Sequence, residues 1–206
     1  MEEVKVKYCL LITFKCDWDC SYCIVDTHNQ DEPKPQDIFD SIDSLKNGSL
    51  VSLAGGEPGM AKKEFLVEII QRLLEKNCNI HMDTNGLFFR RYPELVKYIE
   101  YFFYHVQDDL TNYDVYMPII NVPMDYVIIA DDTNFHLVRD FLLNVDLPIH
   151  VHRARKNENQ NLTSLSIKNA FKLYNEIKDI IPKESILQLL GENTSVDQNV
   201  KVMGFR

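Results

Sequence analysis

Three cysteines lie close together in the segment Cys16-Asp-Trp-Asp-Cys20-Ser-Tyr-Cys23. Thiolates at this spacing can each bind a different iron of one 4Fe–4S cluster, because cysteine thiolates are the usual ligands of such clusters. The pattern supplies no fourth cysteine nearby, so one iron would be left to bind a substrate or cofactor, as catalytic metal sites often do. A zinc ion with His28 as its fourth ligand is an alternative that the same spacing allows.

A second motif, Gly55-Gly56-Glu57-Pro58, directly follows a predicted strand. The two glycines would let the backbone approach a ligand closely. Backbone carbonyls and the Glu57 carboxylate can accept hydrogen bonds from an ammonium group. Taken alone, the motif is a tight turn. Its position after the strand that follows the cysteine segment favours a functional interpretation, and a zinc site gives no reason for it.

A third motif, Asp83-Thr84-Asn85-Gly86, follows the next predicted strand. The Asn-Gly pair is typical of a left-handed turn, so a polar loop is the simplest interpretation. Parallel strands bring their carboxyl ends to one edge of a sheet, where α/β proteins place their chemistry. We therefore expect the three motifs to meet at that edge.

The three motifs together resemble the radical SAM superfamily, in which an aromatic residue such as Tyr22 precedes the third cysteine. The resemblance covers residues 8–86 and implies that the open iron chelates S-adenosylmethionine (SAM). One electron then cleaves SAM to methionine and a 5′-deoxyadenosyl radical, which abstracts hydrogen from a substrate. It also implies roles near SAM: the Tyr22 backbone beside the adenine, residues 55–58 at the amino group, and Thr84 or Asn85 at the ribose or methionine part.

The later strand ends offer weaker candidates. Gln107 follows the fourth predicted strand and could touch the ribose hydroxyls or the substrate. The sixth strand contains His150-Val-His152-Arg153, and an inward Arg153 could bind a carboxylate of SAM or of the substrate bidentately. A solvated basic strand end is the alternative for Arg153. Asp131 and Asp132 could equally cap a helix.

Short β-rich runs alternate with amphipathic helical stretches along the chain. The pattern predicts strands over 4–14, 50–53, 79–82, 102–106, 125–130 and 148–151, and helices over 37–46, 62–76, 93–100, 133–143, 165–180 and 183–190. Such alternation predicts an α/β fold with a mostly parallel sheet. Six units are too few for the closed eight-stranded barrel, so we expect a partial (βα)6 TIM-like barrel. We assign residues 1–206 to a single domain, with a core of about 4–155 and a C-terminal helical region of about 164–190.

Composition limits the partners. The formal net charge is −9, which makes a nucleic-acid partner unlikely because such proteins usually present a basic face. No segment has the length and hydropathy of a membrane span or the pattern of a secretion signal. The five cysteines do not suggest a disulfide framework. We therefore expect a cytoplasmic protein, and the resemblance to the radical SAM superfamily implies an oxygen-sensitive enzyme.

For the substrate, the sequence favours a small molecule, anionic and either nucleotide-derived or peptide-like. An activase that generates a radical on a protein partner is an alternative within the same family. A zinc-stabilised, non-catalytic binding module is an alternative from a different class. The resemblance implies an electron donor such as flavodoxin or ferredoxin, and a homodimer could enclose a small substrate.

Overall fold

The computed structural model describes residues 7–23, 25, 32–106, 122–154 and 164–181, together with the backbone of 200–203. Seven strands form one sheet in the order β6-β5-β4-β3-β2-β1-β7, and every neighbouring pair is parallel. The strands are β1 (Lys7–Thr13), β2 (Leu50–Gly55), β3 (Asn79–Thr84), β4 (Tyr101–His105), β5 (Met124–Ala130), β6 (Ile149–Arg153) and β7 (Val200–Met203).

The described residues include five α-helices between these strands, and the apolar periodicity predicts all of them except the third. They are α1 (Pro35–Asp43), α2 (Lys63–Glu75), α3 (Leu87–Arg91), α4 (Phe135–Asn144) and α5 (Ile167–Ile177). Helix α2 is typical, because it buries Leu66, Ile69, Ile70 and Leu73 on one side. No helix in the described part of the chain is long and apolar enough to cross a membrane.

The hydrophobic core lies on the helix face of the sheet. Alternate strand residues point into it, including Leu10 and Ile12 of β1, Phe102 of β4 and Val151 of β6. Together with the helices these side chains form one continuous apolar cluster. The residues between them form the other face, which we call the inner face, and most of them are half-buried.

The inner face is concave. The Lys7 ammonium of β1 lies 5.2 Å from the centroid of the Phe103 ring of β4, although β2 and β3 separate these strands. Strands in a flat sheet are about 4.8 Å apart, so three steps would separate the two by roughly 14 Å. The sheet must therefore curl to bring them together. The expected partial barrel is confirmed, and the sheet does not close.

The structure also corrects the expected elements. Strand β7 pairs with β1 beyond the six predicted strands, and its short run Val200–Met203 gave no clear signal. Helix α3 occupies a stretch predicted to be loop. Residues Pro93–Tyr98 form a 3-10 turn instead of an α-helix. The predicted helix over 183–190 lies outside the described residues, and the single-domain assignment stays a prediction.

Candidate active site

The cysteine segment leaves the carboxyl end of β1, where the parallel strands end together. Cys16, Cys20 and Cys23 are half-buried, and none of these three forms a disulfide. The loop turns tightly, because the Cys23 amide donates to the Cys20 carbonyl at 3.0 Å and the Trp18 amide donates to Cys16 Sγ at 3.4 Å. The three predicted ligands are thus carried by one compact loop and are partly accessible.

Burial raises the pKa of two of these thiols. It raises the pKa of Cys16 to about 11 and also raises the pKa of Cys23 above its ordinary value. The Tyr22 hydroxyl has a raised pKa for the same main reason. Binding iron therefore requires the loss of protons from the thiols, because thiolates are the ligands.

The Gly-Gly-Glu-Pro turn packs directly on the start of the cysteine loop. The Gly56 amide donates to the Thr13 carbonyl at 2.7 Å, and the Glu57 amide donates to the Lys15 carbonyl at 2.8 Å. A Cβ atom at Gly55 would overlap the Thr13 carbonyl, and one at Gly56 would overlap that of Lys15. The sequence predicts that these glycines let a ligand approach the backbone closely. In the structure, the segment that approaches them closely is the neighbouring loop.

Glu57 is 1% exposed, and its carboxylate is an acceptor within the protein. It receives hydrogen bonds from the amides of Gly59, Asn85 and Phe88 at 2.7–3.1 Å and from the Thr84 hydroxyl at 2.9 Å. Burial raises its pKa, and these hydrogen bonds lower it in part. The expectation that this carboxylate accepts from an ammonium group does not fit its surroundings, because its oxygens face four donors of the fold.

The Thr-Asn-Gly turn is tied to both other loops. Besides the bonds to Glu57, the Asn85 side-chain amide donates to the Asp17 carboxylate of the cysteine loop at 2.6 Å. Asn85 Oδ1 accepts from the Leu87 amide at 3.1 Å, at the beginning of α3. Gly86 adopts a φ of +97°, as a left-handed turn requires. Contact of Thr84 and Asn85 with SAM stays a prediction, and their side chains already hold the three loops together.

Asp131, at the end of β5, is a further member of this framework. It is fully buried and accepts from the Ser21 hydroxyl of the cysteine loop at 2.8 Å. Its other oxygen accepts from the amides of Thr133 and Asn134, which caps the entry to α4. The sequence left a ligand contact and a capping role open for Asp131. It could not predict the bond to Ser21, because a contact across 110 residues leaves no local pattern.

The remaining candidates are placed less favourably. Pro58 is buried and begins a 3-10 turn. Gln107 and His28 lie outside the described residues. Arg153 shares its face of β6 with Ile149 and Val151 of the core, and its Nε donates to the Leu165 carbonyl at 2.7 Å. Of the two orientations that the sequence allows for Arg153, strand alternation directs its side chain to the helix face and not inward. Contact of Arg153 with SAM or the substrate stays a prediction that this orientation does not favour.

Two observations concern whether the cysteine loop could hold a metal ion or an iron–sulfur cluster. Among the described residues, no three His, Cys, Asp or Glu side chains converge as the ligands of a single metal ion. A 4Fe–4S cluster does not require that convergence, because each thiolate binds a different iron. A cavity of about 330 Å³ also lies against the loop, lined by Asp17, Trp18, Asp19, Cys20, Ser21, Tyr22, Thr133 and Asn134.

The comparisons with known proteins agree with this arrangement. The model of the Radical SAM superfamily matches residues 10–118, more than half of the chain. A structure of native anSMEcpe with bound AdoMet and Cp18Cys peptide superposes with a TM-score of 0.59 at 12% identity, covering 85% of this chain and 59% of that one. Streptococcus suis SuiB gives a TM-score of 0.50 at 15% identity, covering 85% and 46%. The chain thus spans about three-fifths of the length of anSMEcpe. No curated protein sequence matches it significantly.

Proposed function

Because the chain belongs to the radical SAM superfamily, whose members use a 4Fe–4S cluster and SAM, we propose that Cys16, Cys20 and Cys23 hold that cluster. The observation that carries the proposal is the bonding of the three motif loops to one another at one edge of the sheet. Asp17 of the cysteine loop accepts from Asn85, and the Glu57 amide donates to Lys15. Three sequence-distant motifs are thereby fixed around one place.

The residues present fit the cluster. Three thiols on one loop can bind three irons and leave the fourth without a protein ligand. When bound, the cluster supplies the electron that cleaves SAM to methionine and a 5′-deoxyadenosyl radical. The protein's part is to fix the loop, and the bonds from Asn85 to Asp17 and from Ser21 to Asp131 do so from two sides.

We also propose that backbone carbonyls of residues 55–57, instead of the Glu57 carboxylate, accept hydrogen bonds from the SAM ammonium group. Support comes from the burial of that carboxylate and from the four donors that occupy it. Glu57 is in this view a positioning residue. It links the Gly-Gly-Glu-Pro turn to the Thr-Asn-Gly turn, and both must keep their shape for the cofactor to bind.

The substrate in this proposal is a small or peptide-like molecule that loses a hydrogen atom to the radical. The peptide bound in the anSMEcpe structure supports the peptide-like class. An inward Arg153 would support an anionic substrate. The structure removes that support, because the Arg153 guanidinium donates to the Leu165 carbonyl. An electron donor such as flavodoxin or ferredoxin and a reducing, cytoplasmic compartment belong to the same proposal.

The test is purification without oxygen, followed by reduction with dithionite in the presence of SAM. We expect brown protein with about four irons and four sulfides per chain, and release of 5′-deoxyadenosine. The triple variant Cys16→Ala, Cys20→Ala, Cys23→Ala should lose colour, iron and product. The matched control is Cys78→Ala, which removes a buried thiol on the helix side and should keep all three. Colourless wild-type protein with one tightly bound zinc would contradict the proposal.

A further inference from the structure

The inner face of the sheet is polar over most of its length. Alternation places on it the strand residues that do not enter the core. They include four histidines, two aspartates, one lysine and two aromatic rings: His81, His105, His150, His152, Asp83, Asp125, Lys7, Tyr101 and Phe103. A concave surface with ionisable side chains from five strands is suited to binding a small polar ligand.

This surface continues directly into the motif loops. Asp83 immediately precedes Thr84, and the Thr84 hydroxyl donates a hydrogen bond to Glu57. The Asp83 carboxylate accepts a hydrogen bond from the Ser52 hydroxyl at 2.8 Å. His105 is the last residue of β4, and its Nε2 lies 3.9 Å from Asp83 Oδ1. A molecule lying on the inner face would therefore adjoin the proposed SAM site.

The two carboxylates are accessible. The Asp83 and Asp125 side chains are 38% and 33% exposed. Their nearest histidine nitrogens, on His105 and His150, are at 3.9 and 3.6 Å, which is longer than a hydrogen bond. The Tyr101 hydroxyl donates a hydrogen bond to the Asp125 carboxylate, but an ionised carboxylate offers about four acceptor positions. Asp83 and Asp125 can thus accept further hydrogen bonds from a ligand.

Two of the inner-face histidines do not offset these negative charges. Burial lowers the pKa of His152 to about 4, helped by the nearby His105 and His150. Burial also lowers the pKa of His81, helped by Lys7. Among the carboxylate and ammonium groups of the described inner-face residues, Asp83 and Asp125 stand against Lys7 alone.

One polar atom on this face also has no partner. Within the part of the chain that the structure describes, His81 Nδ1 is buried and makes no hydrogen bond. The His81 ring stacks near Tyr101 and Phe103, at centroid distances of 5.3 and 6.1 Å. A buried polar atom without a partner is costly, so this position favours a ligand atom or a water molecule.

We propose that the inner face binds the polar part of the substrate, and that this part carries a protonated amine. Asp83 and Asp125 would accept its hydrogen bonds, and the imidazoles of His105 and His152 would surround it. The proposal rests on the proposed function, because only a radical source at the motif loops makes the adjoining face a substrate site. A carboxylate or phosphate in the same place would meet Asp83 and Asp125 with like charge.

The experiment measures which charge this face attracts in the cluster-loaded protein. The probes are two nitroxide radicals of one shape, 4-amino-TEMPO as the cation and 4-carboxy-TEMPO as the anion. The observable is the broadening of histidine Cε1–H NMR signals. We expect the cation to broaden the inner-face signals about fivefold more than the anion, because concave charged surfaces concentrate counterions. Excess ethylammonium should reduce the broadening, whereas excess propionate should not.

His136 is the internal control, because it lies exposed on α4. The double variant Asp83→Asn, Asp125→Asn should bring the inner-face ratio down to that of His136. The amide oxygen introduced at position 83 can still accept the hydrogen bond from Ser52, so the fold should persist. The matched control is Asp37→Asn, which removes the charge of an exposed side chain on α1 and should leave the ratio unchanged.

Stronger broadening by the anion, or a ratio that the double variant does not change, would overturn the proposal. The measurement involves no SAM cleavage. Absence of 5′-deoxyadenosine from the wild-type protein would therefore count against the proposed function, whereas the NMR ratio would still report on the charge preference. The two failures are thus distinguishable.

Discussion

The motif loops and the inner face adjoin each other, but they are built differently. In the loops, polar groups are buried and bonded to one another at hydrogen-bond distances, as Glu57 is with four donors. On the inner face, the histidine–aspartate distances are 3.6 and 3.9 Å and the carboxylates are partly exposed. The difference indicates that the loops form a fixed framework, whereas the inner face keeps acceptor capacity for a ligand. Substitutions should therefore reduce stability most in the loops.

The largest effect should come from Gly56→Ala. The new Cβ would overlap the Lys15 carbonyl and lie 2.7 Å from that of Phe14, so two backbone segments must separate. We expect a loss of at least about 3 kcal/mol in the free energy of unfolding, together with loss of bound iron. Urea unfolding and iron analysis measure the two effects.

Gly48→Ala is its matched control. Gly48 has a φ of +75° and nothing within 4 Å of the added Cβ, so it should cost about 1 kcal/mol and retain iron. Equal effects of the two substitutions would show that the loops do not need their close approach.

The next effect should come from Glu57→Gln, which removes the charge and points an NH₂ group at N–H donors. We expect a loss of about 3 kcal/mol, because buried donors are left without an acceptor. Glu64→Gln, on the exposed start of α2, should change stability by less than about 0.5 kcal/mol. Equilibrium unfolding in urea compares them, and a Glu57→Gln protein as stable as the control would contradict the positioning role.

A smaller effect concerns pH and the inner face. His152 has a folded pKa of about 4, below its ordinary value of 6.5. The unfolded chain takes up this proton as the pH falls through 6.5, whereas the folded chain does not, so stability falls between pH 6.5 and 4. The contribution is at most about 3 kcal/mol and less where water enters the face. Burial is the main cause, with His105 and His150 lowering the pKa, and Asp83 and Asp125 raising it.

Thermal unfolding from pH 7 to pH 4.5 tests this dependence. His152→Asn should flatten the decline in stability with falling pH, whereas His136→Asn, which changes an exposed side chain of α4, should not. An unchanged slope in His152→Asn would mean that water already reaches the ring and that the inner face is wetter than its burial indicates.

The smallest effect should come from Ser21→Ala, which removes one hydrogen bond between the cysteine loop and Asp131. We expect about 1 kcal/mol in stability and slower incorporation of iron during reconstitution. Ser41→Ala is the control, because its hydroxyl also donates one bond, to the Asp37 carbonyl within α1. If both variants take up iron at the wild-type rate, the Ser21–Asp131 bond has no part in positioning the loop.

The sequence predicted the loops better than the inner face, for physical reasons. Motif spacing and the common end of parallel strands brought Cys16, Gly56 and Asn85 to one edge, as the structure shows. The role of Glu57 could not be read locally, because its donors lie up to 31 residues away. The orientation of Arg153 could not be predicted, because either face of β6 could be the inner one until the packing of Val151 is known.

The inner face did leave a signal in the sequence. Polar or aromatic residues recur at every second position in His81–Asp83 of β3 and in Tyr101–Phe103–His105 of β4, as in His150–His152 of β6. This period of two is typical of strands with one solvated face. Two or three alternating residues in each strand are too few to predict that the strands share one polar surface. Strand β7 could not be predicted because four residues give too short a pattern.

The chain has one tryptophan, Trp18, and it lies inside the cysteine loop beside Cys16. Its indole is therefore the sole source of tryptophan fluorescence, and that emission originates within a few bonds of the proposed ligands. Iron–sulfur clusters absorb strongly across the near-ultraviolet and visible range, so excitation energy should pass from the indole to a cluster formed there. The protein thus contains its own optical reporter, and loading could be followed in a sealed cuvette without a label.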